Sequence, residues 1–392
     1  MHTFRSLRHR NYRLYFIGQM ISLIGSWMQT TALMWLAYDL THESKWPAFL
    51  MVAMIGPTLL LGAWAGGLAD RCRKHTLIVR TQIAFLTSAS LLAFLVYSGN
   101  INIWLMLGLM VCHGIVQAVD LPSRLAFVPD LVERDDLINT VALNSVQFNV
   151  ARAIGPAIAG ILLAATGPAV CFFLNAISYV AVLTALLLMR DFRESHSAAK
   201  SQTTESGLAV LRRHPRLMVL ILLAGWVSAS GWPLLALLPA FAEKILGLKE
   251  GGYSTMLSSV GVGALFAALM AATFGNEGRQ RWLLVFGLTA VCIALFGLSR
   301  ARELYAASIC CGVFGFGMIL FLATGQAAVQ LGVPSEHRGK IMGFWAMMLA
   351  GGNPIGNVIF GPAADAFGVA TIIAVQAVTM SVAALYCWVR RT

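Results

Sequence analysis

Helix-length apolar stretches follow one another along almost the whole chain, and this leaves little choice of solvent. Twelve are present, at roughly 14–38, 46–69, 76–97, 102–122, 138–165, 168–189, 217–243, 252–274, 282–299, 303–331, 339–365 and 368–389. A helix needs about 20 apolar residues to cross the hydrocarbon of a bilayer. Only 11% of residues are charged and 58% are hydrophobic, whereas a soluble domain carries about a quarter charged residues. Lipid must therefore be the solvent for most of the surface. The opening "MHTFRSLRHRNYR" is basic and polar, and the apolar stretch after it is too long for a signal peptide, so it reads as a retained first span. The seven cysteines, Cys72, Cys112, Cys171, Cys292, Cys310, Cys311 and Cys387, form no CxxC and have no histidine at ligand spacing. They read as small reduced core residues, and no metal is expected.

One polar interruption, 190–215, splits the spans into two groups of six. The expected organisation is an N-terminal six-helix bundle over 1–189, a linker over 190–215 and a C-terminal bundle over 216–392. Of the 28 Lys and Arg residues, 22 fall in one alternate set of loops together with both termini and the linker, and five in the other set. The positive-inside rule places the first set in the cytoplasm. The net charge of +11 then reflects this asymmetry and contact with anionic membrane lipid, not nucleic acid. An internal repeat supports two equivalent halves. At an offset of 201, Ile154, Gly155, Gly160 and Gly167 fall on Ile355, Gly356, Gly361 and Gly368.

Between the second and third spans lies "GGLADRCRKH". Gly66, Leu68, Ala69, Asp70 and Arg71, with Lys74 and His75, resemble the loop motif G-x-L-a-D-R-x-G-R-K/R of the major facilitator superfamily; Arg73 stands where its glycine is usual. In span 5, Gly155, Pro156 and Gly160 in "GPAIAG" resemble the antiporter motif of that superfamily, with Ala159 and Ala151 replacing two of its glycines. "FRSLRHRNYRLYFIGQM", "DLPSRLAFVPDLV" and "LNSVQFNVARAIGPAIAG" look like the branch with enterobactin-type siderophore exporters and macrolide-efflux-like proteins. The resemblance implies an all-α integral membrane protein with twelve transmembrane helices in two pseudo-symmetric six-helix bundles. It further implies a monomer in a bacterial inner membrane, a small-molecule substrate, spans 1, 4, 7 and 10 lining a cavity, and a proton gradient as driving force without a bound cofactor.

Polar residues in lipid are costly and by default mark a site. On span 1, Gln19, Ser22, Ser26 and Gln29 share one helix face. They would line the cavity or bond a neighbouring helix. His113, Gln117, Asp120 and Arg124 form a second stripe on span 4, and Ser145, Asn149 and Arg152 a third on span 5. Arg152 lies near mid-membrane and keeps its charge, so it takes either an internal partner or an anionic group of the substrate. His113 is either a packing residue or part of a proton relay. Asp120 serves either proton coupling or an ion pair, with Arg124 one turn on or with Arg71. Pro122, expected to break the helix between them, favours Arg71. Asp130 is a second acid for Arg71. In the C-terminal half, Trp226 and Ser230 share a side of span 7, and Asn353 and Asn357 sit one turn apart on span 11 beside Gly351, Gly352 and Pro354. Trp226 and Trp232 either stack a flat substrate or pack.

No G-x-x-x-x-G-K-[ST], G-x-S-x-G or H-E-x-x-H motif occurs, so no catalytic residues are assigned and an enzyme is not expected. The favoured reading is a secondary-active exporter of a small amphipathic, anionic molecule, siderophore-like, organic anion or drug, working by alternating access with proton antiport. A lipid or lysophospholipid translocase is the runner-up, ahead of a scaffold or sensor. The superfamily motif implies that Asp70 caps span 11 and Arg71 reaches an acid at the end of span 4, latching the cytoplasmic side. The counterpart between spans 8 and 9 carries Asn276 and Glu277 instead. Asp70→Asn is therefore expected to slow transport far more than Asn276→Ala in a vesicle flux assay, and equal effects would contradict an asymmetric latch.

Overall fold

The computed structural model describes residues 5–190, 211–274, 279–333 and 337–389. Among the described residues thirteen α-helices have defined bounds: α1 (Arg10–Thr41), α2 (Lys45–Arg71), α3 (Lys74–Tyr97), α4 (Ile103–Phe127), α5 (Leu137–Thr166), α6 (Pro168–Leu187), α7 (Pro215–Gly231), α8 (Leu234–Lys244), α9 (Glu250–Phe274), α10 (Gln280–Arg300), α11 (Leu304–Gly332), α12 (Arg338–Phe367) and α13 (Val369–Val389). Asn276, Glu277 and most of the expected linker lie outside the described residues. The seventh expected span is two helices, because Pro233 follows the end of α7 and starts α8. Proline has no N–H to continue the ladder.

Ten helical segments among the described residues are long and apolar enough to cross a membrane. The long helices α1 and α12 (32 and 30 residues) fall outside that set. They carry Gln19 and Gln29, and Asn353, Pro354 and Asn357, respectively. Their polarity is the sequence signature of helices with interior business. Elsewhere the exposed side chains are bulky and apolar, as with Leu60, Phe94, Trp282 and Ile293, which suits a lipid-facing surface.

The chain forms two compact units, one of residues 1–41 and 53–198, the other of 42–52 and 199–392. The two have matching interiors. In the first, α5 packs on α1, α6 on α1 and α3, and α4 on α3. In the second, α12 packs on α7, α13 on α10, and α11 on α10. The repeated glycines explain why. A Cβ on Gly155 of α5 would lie 2.5 Å from Trp27 Cβ and 3.0 Å from the Ile24 carbonyl of α1. Its counterpart Gly356 of α12 is pressed in the same way against the Ala229 carbonyl of α7. Gly167 and Gly368 close the two copies with φ of +82° and +88°, a left-handed geometry that favours glycine.

Gly155→Ala should force α1 and α5 apart at a cost of about 1–3 kcal/mol. Gly56→Ala, with open space around the glycine, should be neutral or mildly stabilising. Thermal unfolding of the two variants beside the parent checks this.

Candidate functional site

In the first unit, Arg152 sits midway along α5 and is 8% exposed. Its guanidinium carbon lies 5.1 Å from the centre of the Trp27 ring and 4.8 Å from that of Phe148. The two rings meet edge to face at 5.7 Å. Phe148 is one turn back on α5; Trp27 arrives from α1 because Gly155 admits it. Aromatic faces are negative, so this clamp stabilises a cation that hydrocarbon would not. Asn149, on the same stripe, donates back to the Ser145 carbonyl at 2.9 Å. Trp27 and Phe148 belong to the site, although their sequence positions carry no polar signal.

The α1 stripe turns largely toward α6. Gln29 Oε1 accepts from Asn175 Nδ2 at 2.7 Å, and Ser26 Oγ lies 3.3 Å from the Tyr179 hydroxyl. Gln19 and Ser22 are buried. Asn175 and Tyr179 could have been found from the sequence, as an Asn and a Tyr one turn apart in an apolar helix.

The second cluster ties α3 to α4. Asp120 is fully buried. Its Oδ1 accepts from Thr81 Oγ1 at 2.6 Å and Gln82 Nε2 at 2.9 Å, and Oδ2 pairs with Arg124. The expectation that Pro122 breaks this helix is corrected. α4 runs unbroken from Ile103 to Phe127 with Pro122 inside it, so the i,i+4 pair forms. A single proline removes one backbone bond without dispersing the turn around it. Asp130 pairs with Lys74 Nζ at 2.8 Å, which also donates to the Ala126 carbonyl at 3.1 Å. Gly66, Asp70 and Arg71 belong to α2, but their side chains lie outside those described. His113 packs its ring 4.7 Å from Phe85, which stacks on Tyr179 at 5.5 Å. Gln117, one turn on, is half-buried.

At the start of the chain, His9 Nε2, Arg5 Nε and Arg8 Nη2 all approach the buried carboxylate of Asp136, at 2.7, 2.8 and 3.1 Å. The hydrogen bond from His9, helped by the two guanidinium charges, holds this carboxyl below the ordinary carboxylate range. With Glu133, His9 and Asp136 bring three metal-type ligand atoms within 4.8 Å of one another. The two guanidinium groups already neutralise the central carboxylate, which leaves a cation little to gain.

In the second unit, Asn357 is 1% exposed and donates to Asn353 Oδ1 at 2.6 Å and to its carbonyl at 3.0 Å. Ser230 is buried. Trp226 is half exposed, and its indole N–H donates to the Thr379 carbonyl of α13 at 3.0 Å. With Leu222, Leu223 and Tyr386 it borders an apolar cleft of about 260 Å³.

A family profile described as "Transmembrane secretion effector" matches residues 1–391. The chain is 24% identical over 388 residues to the staphyloferrin A transporter of Staphylococcus aureus, covering 97% of this chain and 96% of that one. It is 25% identical over 360 residues to the enterobactin exporter EntS of Shigella flexneri, covering 90% and 85%. Among solved structures, a bacterial homologue of the human lysosomal transporter Spinster, inward-facing and occupied, superposes with a TM-score of 0.78 at 14% identity, covering 97% of this chain and 96% of that one. The nucleoside transporter NupG gives 0.74 at 13% identity, covering 97% and 98%. At these identities the two structures speak for the fold alone.

Asp120→Ala should destabilise the chain by about 3–5 kcal/mol, since it strands a largely buried guanidinium. Adding Arg124→Leu should restore part of that loss. Thermal unfolding of the single and double variants checks both signs.

Proposed function

Because the chain belongs to the transmembrane secretion effector family of the major facilitator superfamily, we propose that it exports a small amphipathic anion of siderophore type across a bacterial inner membrane. It is a multi-pass membrane transporter and not an enzyme. Membership of a secretion-effector family supports export, and relatives that include the staphyloferrin A transporter and the enterobactin exporter support a siderophore-type cargo. The observation that carries the anionic cargo is Arg152, a permanent cation held at mid-span between Trp27 and Phe148. A charged side chain inside a membrane span faces an internal partner or a substrate path, and by default it marks a functional site. The clamp holds the guanidinium before cargo arrives, so less ordering is needed on binding.

In this reading both termini and the linker are cytoplasmic, following the Lys and Arg bias. The halves alternate access, and Asp70, Arg71 and Lys74 latch the cytoplasmic side. Proton entry drives export. Asp120 is committed to Arg124, Thr81 and Gln82, which leaves His113, packed on Phe85, as the carrier. Gln19, Ser22, Gln117, Ser230, Asn353 and Asn357 supply polar contacts to the cargo.

The test is counterflow in proteoliposomes with siderophore-like carboxylates, neutral drugs and lysophospholipids, with and without a pH gradient. Arg152→Gln should lower anion transport by about 10- to 100-fold, the scale of a lost charge-assisted hydrogen bond, and Arg152→Lys by less. Undiminished transport of every anion by Arg152→Gln would refute the cargo class. Transport of lysophospholipid alone would favour a lipid translocase.

A further inference from the structure

Helices α7 and α13 of the second unit correspond to α1 and α6 of the first, and the two pairs close differently. The offset of 201 that aligns the repeated glycines places Gly18 and Gly25 of α1 on Val219 and Trp226 of α7. It also places Ala185 and Ser178 of α6 on Tyr386 and Thr379 of α13. The structure keeps this register. In the first unit, a Cβ on Gly25 would lie 2.5 Å from Ser178 Oγ, and one on Gly18 would lie 3.0 Å from Ala185 Cβ. In the second, the Trp226 indole N–H donates to the Thr379 carbonyl at 3.0 Å. Glycine lets α1 lie directly against α6. At the same two positions Val219 and Trp226 hold α7 off α13, and the cleft of about 260 Å³ opens there, walled also by Leu222, Leu223 and Tyr386.

The cleft is apolar and narrow. The one polar atom of Trp226 is bonded to Thr379, so its ring offers only an apolar face. Leu222 and Trp226 are 55% and 47% exposed, an opening that suits hydrocarbon. From Val219 to Trp226 α7 rises about 10 Å, so the cleft averages about 25 Å² in section. An α-helix, about 10 Å across, needs about three times that. One extended hydrocarbon chain is slim enough to enter.

The rim is charged. Arg216 lies one turn before Val219 on the same side of α7, and Arg212 precedes it by four residues. Both are exposed. The rise from Arg216 to Trp226 is about 15 Å, the hydrocarbon depth of one leaflet. Neither α7 nor α13 carries an Asp or Glu, so no acid of these helices opposes an anion at the rim. In the first unit the position of Arg216 is held by Tyr15, which is buried. The cation thus accompanies the cleft.

The geometry points to an anionic glycerophospholipid as the occupant, with one acyl chain laid from Val219 to Trp226 and the headgroup phosphate at Arg216. Side chains on a helix lean toward its N-terminus, which carries the Arg216 guanidinium out to headgroup level while Val219 stays with the chain. The site lies wholly within the second unit and holds whatever the cargo. Its assignment to the cytoplasmic leaflet rests on the Lys and Arg bias.

Native mass spectrometry of the full-length protein tests this with phosphatidylglycerol, phosphatidylcholine and glycerol 3-phosphate at matched concentrations. The parent should retain phosphatidylglycerol best and glycerol 3-phosphate, which has the phosphate without a chain, not at all. Arg216→Gln should weaken phosphatidylglycerol about fivefold, the scale of one cation at an anionic lipid surface, and leave phosphatidylcholine unchanged. Leu223→Trp, which fills the cleft, should weaken both lipids. Arg13→Gln removes an exposed cation at the corresponding end of α1, where glycine leaves no cleft, and should change neither. Thermal unfolding shows which variants are folded; should Leu223→Trp not fold, the two arginine variants decide. Equal losses in Arg13→Gln and Arg216→Gln would mean diffuse attraction to a basic face and would overturn the site. Retention of glycerol 3-phosphate as strong as that of phosphatidylglycerol, or unchanged lipid retention in folded Leu223→Trp, would overturn it as well.

Discussion

Hydrocarbon offers neither donors nor acceptors, so the polar groups this chain carries into the membrane turn to partners on their own helix or on a neighbouring one. That constraint accounts for most of the specific contacts in the two units. Gln29 is answered by Asn175, Asp120 by Thr81, Gln82 and Arg124, and Asn357 by Asn353. Arg152 is answered by the faces of two aromatic rings. Apolar packing alone would let helices slide and rotate, since lipid tails are as apolar as leucine. The polar pairs and the glycine contacts remove that freedom.

Glycine sets how close the answering group can come. Trp27 can cover Arg152 because α1 and α5 approach closely at Gly155, where a Cβ would meet Trp27 and the Ile24 carbonyl. The glycines shared by the two halves therefore do more than mark a repeat in the sequence. They keep helices α5 and α12 pressed against the first span of each half, where the polar residues have been collected.

Much of this was legible in the residues. Apolar length gave the spans, and the offset of 201 anticipated the matched packing of Gly155 and Gly356. Several residues of the stripes on α1 and α4 bond neighbouring helices, as Gln29 does with Asn175 and Asp120 with Thr81 and Gln82. The partners were less legible, because a stripe says which face is polar and not which helix it meets. Thr81, Gln82 and Trp27 are unremarked in sequence and acquire their roles from adjacency. Pro122 misled for a local reason: its rule describes an isolated helix, and here the surrounding turn is held by neighbours on α3. The gate motif around Asp70 and Arg71 was most specific in the sequence, yet it is Lys74, in the first of its last two basic positions, whose contact with Asp130 is seen.

The division of α2 between units bears on how this chain can be assembled from parts. A cut in the polar segment near residue 200 looks natural and would yield two six-span fragments. The second fragment would lack residues 42–52, which complete its compact unit, and would leave Asp365 without the Ser44 and Lys45 N–H groups it accepts from. The first would carry the beginning of α2 as an overhang. Co-expressed fragments would thus need each other to finish folding, and the two halves, despite their repeated interiors, are not interchangeable modules.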